Sequence, residues 1–226
     1  ATRADGVAVA SLLRPTPPAH PGRGWGRMGR GLEARFGLVA RDLTNGKLLW
    51  KFPEEKAEGF ADFDVRTAPV VSGDVLVASC TRITTSCEVY LVGLGLKDGQ
   101  VRWRRFLCAS PLQMDYTGYA ASAEPGLAAE GSLVVCATQR GAVVAVDAET
   151  GRTRWAYRYD LTLPGANPAP VRKFAGRGWN PQNVSGACWK SFSPPVISAG
   201  TAFVLPADAD QILALDPVDG HRLWQK

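Results

Sequence analysis

The sequence predicts an all-β protein assembled from about four repeated units of four short antiparallel strands. Three observations predict it: a motif that recurs four times along the 226 residues, apolar runs of strand length, and many turn-forming residues. Gly 24 and Pro 16 make up 40 of 226 residues, which is about 18%, against roughly 12% in an average protein. Because this excess has no triplet period, it indicates many turns rather than a collagen-like chain.

The repeated motif connects the end of one strand to the start of the next. Its four copies are residues 40–50, 93–103, 145–155 and 214–224, and they align without gaps. Gly at the seventh place and Trp at the eleventh occur in every copy, and Asp at the third place occurs in three. The motif residues are Asp42, Gly46, Trp50, Gly99, Trp103, Asp147, Gly151, Trp155, Asp216, Gly220 and Trp224.

Each residue type in the motif has a physical role at its place. Gly supplies the positive φ that a tight hairpin turn requires. The Asp side chain accepts backbone hydrogen bonds across such a turn. The Trp lies on the outgoing strand, and a large ring repeated once per unit is expected to pack against the next unit, burying about 150–250 Å².

A second pattern of strand, glycine turn and strand precedes three of the four motifs, at 68–78, 126–138 and 195–206. Each unit then has four strands, A to D, and such a sheet repeated around an axis is a blade of a β-propeller. We expect residues 1–226 to form one propeller segment. Its blade one, at 1–52, is expected to be partial and to lack strand A; blades two, three and four occupy 53–108, 109–160 and 161–226.

The A-x-D-x-x-x-G-x-x-x-W repeat resembles the tryptophan-docking motif of the PQQ-like, or quinoprotein, β-propeller family, from about residue 36 onward. The second copy departs from it, because Gly93 and Gly95 replace the Ala and the Asp. The family includes dehydrogenases that use pyrroloquinoline quinone (PQQ) and cofactor-free scaffolds. Its rings usually have seven or eight blades, so the resemblance implies that further sequence or another chain completes the ring.

Long insertions are expected on one face of the propeller, which we call the loop face and which carries the B–C and D–A loops. The A–B and C–D turns form the opposite turn face. The predicted insertions are residues 14–35, 53–66, 80–88, 108–124 and 160–192. Binding residues concentrate in such loops, and the resemblance implies that the quinoprotein enzymes have their active site on this face.

The segment 176–190 contains the candidate ligand-binding residues. Indole rings, amides and cations can stack on and hydrogen-bond a planar or sugar-like ligand. The alternative is that the Trp rings wedge against neighbouring loops and hold a long irregular segment in place. The candidates are Arg177, Trp179, Asn180, Gln182, Asn183, Trp189 and Lys190.

Metal and cofactor sites are not expected from the residues themselves. Asp62 with Asp64, and Asp208 with Asp210, are carboxylate pairs that would suit Ca²⁺, but each lacks a third carboxylate nearby, which favours turn chemistry. The resemblance to quinone-dependent dehydrogenases would imply PQQ and Ca²⁺, a catalytic Asp and often an adjacent Cys pair. The chain has no adjacent Cys pair and no C-x-x-C-H haem motif, and no catalytic residue is assigned.

The five cysteines indicate an oxidising compartment if some of them pair. Cys80 and Cys87 flank the predicted B–C loop of blade two and are expected to face each other across it. Cys136 lies in an apolar run and is expected to be buried. Cys108 and Cys188 complete the set.

Charge gives little support for a nucleic-acid partner. The net charge is +5, of which residues 1–35 hold +4, but no nucleic-acid fold motif accompanies it. No apolar run approaches the roughly 18 residues of a membrane-spanning helix.

The sequence therefore favours a non-catalytic, extracytoplasmic scaffold, periplasmic or secreted, that binds a protein or ligand through the loop face and needs no cofactor. The alternative is a portion of a PQQ-dependent alcohol or sugar dehydrogenase. The expected partners are a protein or additional propeller blades.

Overall fold

The computed structural model describes residues 2–13, 36–54, 59–111, 124–161 and 193–226. Within these ranges every regular element is a β-strand, and seventeen strands form four antiparallel sheets, each built from strands consecutive in the chain. The predicted all-β class with four repeated blades is confirmed. In the same ranges no helix is long and apolar enough to cross a membrane.

The strands follow one another in blade order. Blade one contains β1 (Thr2–Ala4), β2 (Val7–Leu13), β3 (Phe36–Asp42) and β4 (Leu48–Phe52). Blade two contains β5 (Phe63–Asp64), β6 (Val70–Ser72), β7 (Val75–Ile83), β8 (Ser86–Gly95) and β9 (Val101–Pro111). Blade three contains β10 (Gly126–Glu130), β11 (Leu133–Ala137), β12 (Ala142–Asp147) and β13 (Thr153–Arg158). Blade four contains β14 (Val196–Ser198), β15 (Thr201–Val204), β16 (Leu213–Leu215) and β17 (Arg222–Gln225).

Blade one has a first strand, so the expectation that it lacks strand A was wrong. Strand β1 pairs with β2, and Ala4 lies opposite Val7. The two residues between them, Asp5 and Gly6, have φ values of 45° and 74°, as a two-residue hairpin turn with the twist of the strands requires. Sequence patterning missed β1 because a three-residue strand that includes Thr and Arg forms no apolar run.

The predicted B–C insertion at 80–88 was also wrong. Strand β7 continues to Ile83 and β8 begins at Ser86, so a short turn replaces the loop. The polar residues remain in the strands because they pair across the hairpin: the Arg82 guanidinium lies 2.6 Å from the Glu88 carboxylate. Strand A of this blade is split, since β5 and β6 pair with opposite ends of β7.

The hydrophobic core lies between the blades, in three layers. Leu38, Phe63 and Leu94 belong to the layer between blades one and two. Alternate residues of β11 then enter the other two layers, with Val134 facing blade two and Val135 facing blade four. Because both faces of this strand are covered, all five of its residues are buried and its sequence is continuously apolar.

The motif tryptophans connect successive blades through hydrogen bonds. The indole Nε1 of Trp50 donates to the carbonyl of Leu96 at 3.0 Å, and that of Trp103 donates to the carbonyl of Ala148 at 2.9 Å. The indole of Trp155 repeats the contact with blade four at 2.8 Å. In every case the accepting carbonyl belongs to the residue after the third motif position of the next blade.

The motif glycines make room for these rings. A Cβ added to Gly99 would lie 2.6 Å from Cδ2 of Trp50, and one added to Gly151 would lie 2.5 Å from Cδ2 of Trp103. Gly99 also has a φ of 68°, in the left-handed region that favours glycine. Two separate constraints therefore require glycine at this position: the positive φ of the turn and the space that the neighbouring indole occupies.

The departures of the second motif copy have a structural explanation. A Cβ on Gly93 would lie 2.2 Å from the ring of Trp103 in the same blade, and a Cβ on Gly95 would lie 2.0 Å from Oδ1 of Asp98. The backbone of the turn is nonetheless retained, since the N–H of Gly99 donates to the carbonyl of Gly95 at 2.8 Å. In the other copies the motif Asp is present, and Oδ1 of Asp147 accepts the N–H of Thr150 at 3.0 Å.

Substituting Gly99 tests the requirement for space beneath the indole. Gly99→Ala is expected to lower the free energy of unfolding by about 1–3 kcal/mol more than Gly73→Ala. Both substitutions place Ala in the left-handed region, but a Cβ on Gly73 would meet nothing within 4 Å. Urea unfolding followed by tryptophan fluorescence measures the difference. Equal losses from the two substitutions would contradict the docking of Trp50 on Gly99.

Candidate functional site

The residues proposed to bind a ligand, at positions 177–190, lie outside the described residues. The motif residues of all four copies are described, and they belong to the turn face and to the interfaces between blades. On the loop face, the structure describes the strand ends and the short turns. Among the described residues, polar and thiol side chains of blades two, three and four meet on this face, and we call this group the loop-face cluster: Cys87, Cys108, Thr138, Gln139, Arg140, Tyr159 and Asp208.

The B–C turn of blade three forms the centre of the loop-face cluster. Thr138 holds the turn closed, because its hydroxyl donates to the carbonyl of Ala142 at 2.7 Å and accepts the N–H of Arg140 at 3.2 Å. Gln139 then adopts a φ of 56°, which is uncommon for a residue other than glycine. The turn therefore presents an amide and a guanidinium side by side at the junction of three blades.

Asp208 joins blade four to blade three. Its Oδ2 accepts the N–H of Gly141 at 2.8 Å, and its Oδ1 accepts the hydroxyl of Tyr159 at 2.7 Å. Burial, followed by the charge of Asp208 and this hydrogen bond, raises the pKa of Tyr159. Tyr159 thus remains a protonated donor, and both carboxylate oxygens of Asp208 are engaged by blade three.

Gln139 has one satisfied and one unsatisfied end. Its Oε1 accepts the N–H of Ala207 from blade four at 2.6 Å. Its Nε2 is buried and has no hydrogen-bond partner among the described residues. A buried amide donor left unpaired costs about 1–3 kcal/mol, so this group is available to an acceptor that reaches the turn.

Arg140 extends the loop-face cluster to blade two. Its Nη2 lies 2.9 Å from Sγ of Cys87, and its Nη1 donates to the carbonyl of Gln139 at 3.1 Å. Burial raises the pKa of the Cys108 thiol nearby, so that thiol is neutral and a poor nucleophile. The loop-face cluster can therefore donate hydrogen bonds to a bound acceptor, but its described residues do not assemble a nucleophile and a base.

Asp64 is engaged in the same way on the loop side of blade two. Its Oδ1 accepts the N–H of Phe36 at 2.6 Å, and its Oδ2 accepts Nε of Arg66 at 2.6 Å. Nε of Arg66 also lies 3.5 Å from the carboxylate of Glu124, where burial raises the pKa of the carboxyl. Each carboxylate oxygen of Asp64 and Asp208 thus accepts a hydrogen bond from the chain itself, which gives both carboxylates a structural role.

Cys80 and Cys87 do not face each other across the hairpin of blade two. The register places Cys80 opposite Tyr90 and Cys87 opposite Ile83. Positions 80 and 83 of one strand differ by an odd number, so the two thiols lie on opposite faces of the sheet. Cys87, Cys108 and Cys136 are free thiols, and Cys136 is buried as expected.

Three groups on the turn face lie close enough to hold a metal ion, within 4.8 Å of one another: Asp216, Asp219 and His221. Asp219 already accepts the backbone N–H of His221 at 3.0 Å and contacts its Nδ1 at 2.7 Å. These contacts hold the pKa of Asp219 below its ordinary value and raise the pKa of His221. This is the hydrogen bonding of a C–D turn, and His221 is exposed.

Sequence reasoning did not find the loop-face cluster. Its members are short-range neighbours only within residues 138–141, and the remaining contacts join positions 49 to 68 residues apart. The available signal was the T-Q-R-G stretch, which places an amide and a cation in a tight turn.

Removing the hydroxyl of Tyr159 tests the connection between blades three and four. Tyr159→Phe is expected to lower the free energy of unfolding by about 1–2 kcal/mol, because Oδ1 of the half-buried Asp208 loses its donor. Tyr157→Phe, two residues earlier and half-buried, is the matched control and should cost less than about 0.5 kcal/mol. Chemical denaturation at pH 7 compares the variants. A loss of the same small size for both would refute the role assigned to Tyr159.

Comparisons with known proteins identify the repeat. The family model described as outer membrane protein assembly factor BamB, a model of the PQQ-like repeat, matches residues 31–123 and 113–226. No curated protein sequence matched the chain.

Solved structures with the same architecture cover most of this chain. BamB from Moraxella catarrhalis is 18% identical with a TM-score of 0.49, covering 84% of this chain and 46% of that one. The quinohemoprotein alcohol dehydrogenase of Comamonas testosteroni is 15% identical with a TM-score of 0.50, covering 84% of this chain and 32% of that one. The enzyme ADHIIG of Pseudomonas putida HK5 is 14% identical with a TM-score of 0.50, covering 84% and 31%.

The chain thus spans less than half the length of each of these proteins, and at such identities the likeness shows the fold alone. The family model covers well over half of the chain, through the four blades and their docking tryptophans. The chain belongs to the PQQ-like β-propeller repeat family that the outer membrane protein assembly factor BamB represents.

Proposed function

We propose that the chain is a non-catalytic β-propeller scaffold that binds an acidic protein partner through its loop face. One observation carries the proposal: the two longest insertions leave and re-enter the sheets at this face, and both are basic. Residues 14–35 connect β2 to β3 and hold five Arg against one Glu, a net +4. Residues 162–192 connect β13 to β14 and hold four cations and no carboxylate, also +4.

The described part of the loop face supports a binding role. Strand ends and loops there leave aliphatic side chains exposed, namely Leu12, Leu13, Ile83, Leu205 and Ile212. Apolar side chains beside cations are typical of surfaces that bind another protein. Asp64 and Asp208 hold blades and turns together on this face, which favours a rigid platform.

The alternative function is a portion of a PQQ-dependent alcohol or sugar dehydrogenase. The observation that favours it is the likeness of the fold to two quinohemoprotein alcohol dehydrogenases. Asp64 and Asp208 have a structural role that does not depend on a cofactor, because donors of the chain engage both of their carboxylates. An extracytoplasmic location, periplasmic or secreted, is part of the proposal, and the description of the matching family as an outer membrane assembly factor supports it.

Neutralising cations of the insertion at 162–192 tests the scaffold proposal. In the triple variant Arg172→Gln, Lys173→Gln and Arg177→Gln, in-cell cross-linking to the protein partner should fall, and the purified pair should bind about tenfold or more weakly at 0.15 M salt. The control neutralises the exposed turn-face cations Lys97, Arg152 and Arg222 and should leave binding within about twofold. The affinity of the unaltered chain should weaken as salt rises.

Two outcomes would overturn the proposal. One is a loss of affinity for the partner that is equally large in the two triple variants. The charge of the loop face would then have no special role. The other is saturable binding of PQQ and Ca²⁺ with dye-coupled oxidation of an alcohol or sugar, which would establish the dehydrogenase alternative.

A further inference from the structure

The last strand of blade two, β9, is the longest strand that the structure describes. It runs over 11 residues from Val101 to Pro111, whereas the last strands of blades one, three and four have 5, 6 and 4. Blades one and three pack against the two faces of this sheet. Among the described residues β9 pairs with β8 alone, so its other side, which we call the β9 edge, presents unpaired backbone N–H and C=O groups.

Two arginines of β9 are held against the faces of the sheet. The guanidinium carbon of Arg104 lies 5.3 Å from the ring centre of Phe60 and 6.0 Å from that of Tyr90. On the other face, Nε of Arg105 donates to the carbonyl of Gly151 in blade three at 2.8 Å. Because successive side chains of a strand point to opposite faces, these contacts leave the backbone of the β9 edge to another strand.

The charge of the β9 edge decides which kind of strand fits it. The sequence of β9 has three arginines and no carboxylate. Asp74 pairs with Arg102 at 2.6 Å, but among the described residues no carboxylate forms an ion pair with Arg104 or Arg105. Opposite charges that face each other across two strands stabilise the pairing, and like charges oppose it. A second copy of this basic edge is therefore disfavoured, and an acidic strand is favoured.

Phe106 adds an apolar contact beside the two arginines. Its side chain is 51% exposed and meets the ring of Tyr90 edge-on, with the ring centroids 5.3 Å apart. The register between β8 and β9 makes Arg102 and Leu107 the extra residues of two β-bulges, so residues 103–106 form a regular segment between them. This segment combines an exposed aromatic ring with arginines, and both residue types are enriched where proteins bind one another.

We propose that residues 103–106 of the β9 edge bind an extended, acidic segment of another protein as an added strand. Backbone hydrogen bonds along the edge supply the pairing, and alternate side chains of the segment supply the specificity. Acidic side chains of the segment face Arg104 or Arg105, and an apolar side chain packs on Phe106. The inference does not depend on the proposed function, because the β9 edge belongs to the last strand of a blade and not to the loop-face insertions.

Titration of the ¹⁵N-labelled chain with a synthetic peptide, followed by NMR, tests the β9 edge. The probe is a capped peptide of about eight alternating Val and Glu residues, so that in either orientation its Glu face lies beside Arg104 or Arg105. We expect a dissociation constant of about 1 mM or lower, slowed hydrogen exchange at amides of residues 103–106, and weaker binding as salt rises. The matched peptide of Val and Lys is expected to bind at least about tenfold more weakly.

Phe106→Glu and Leu49→Glu form a matched pair of variants. Both replace an exposed apolar side chain on the last strand of a blade and add the same charge to the chain. Phe106→Glu removes the apolar contact and places a like charge beside the acidic peptide, so the dissociation constant should rise about tenfold or more. Leu49→Glu should change it by less than about twofold. The circular dichroism spectra of both variants should match that of the unaltered chain.

Three results would overturn the inference. The first is an unaltered chain whose amide signals do not shift with the Glu peptide at about 10 mM. The second is equal affinity of the unaltered chain for the Glu and the Lys peptides. The third is protection from hydrogen exchange that arises outside β9 while the amides of residues 103–106 exchange as before. All three are measured on the unaltered chain, so they do not depend on the folding of a variant.

Discussion

The structure depends on one repeated contact, in which a tryptophan at the start of an outer strand donates its indole N–H to a turn carbonyl of the next blade. The contact buries a large apolar ring and at the same time gives its N–H the hydrogen-bond acceptor that a buried indole needs. It also explains the motif glycine, since only a residue without a side chain can adopt the turn and leave room for the ring. Each blade thus fixes the position of the next.

The opposite face is held together by different chemistry. There, Asp208 connects blade four to the turn of blade three, and Arg140 reaches from that turn to blade two. At the turn face indole rings connect successive blades, and at the loop face charged and polar side chains connect them. A sheet stack fixed at both ends provides a stable base for long basic insertions, which suits the binding role proposed for the loop face.

Sequence reasoning predicted the blades but not the contacts across them. The docking motif was readable because its parts lie within eleven residues and recur, so that local turn chemistry and a regular period agree. Strand β1 was missed because three mostly polar residues show no period. The hairpin at 80–88 was mistaken for a loop because its charged residues pair across strands. The loop-face cluster was missed because Arg140 and Cys87 are 53 residues apart, and no local pattern reports such a distance.

The most direct test of the account is hydrogen exchange at the indole N–H groups, followed by NMR with signals assigned through Trp→Phe substitutions. The account predicts that the indoles of Trp50, Trp103 and Trp155 exchange about as slowly as the amides of the central strands, because their protection requires the blades to separate. Exchange of these three indoles at the rate of a free indole, while the strand amides stay protected, would contradict the claim that tryptophan docking holds the blades together.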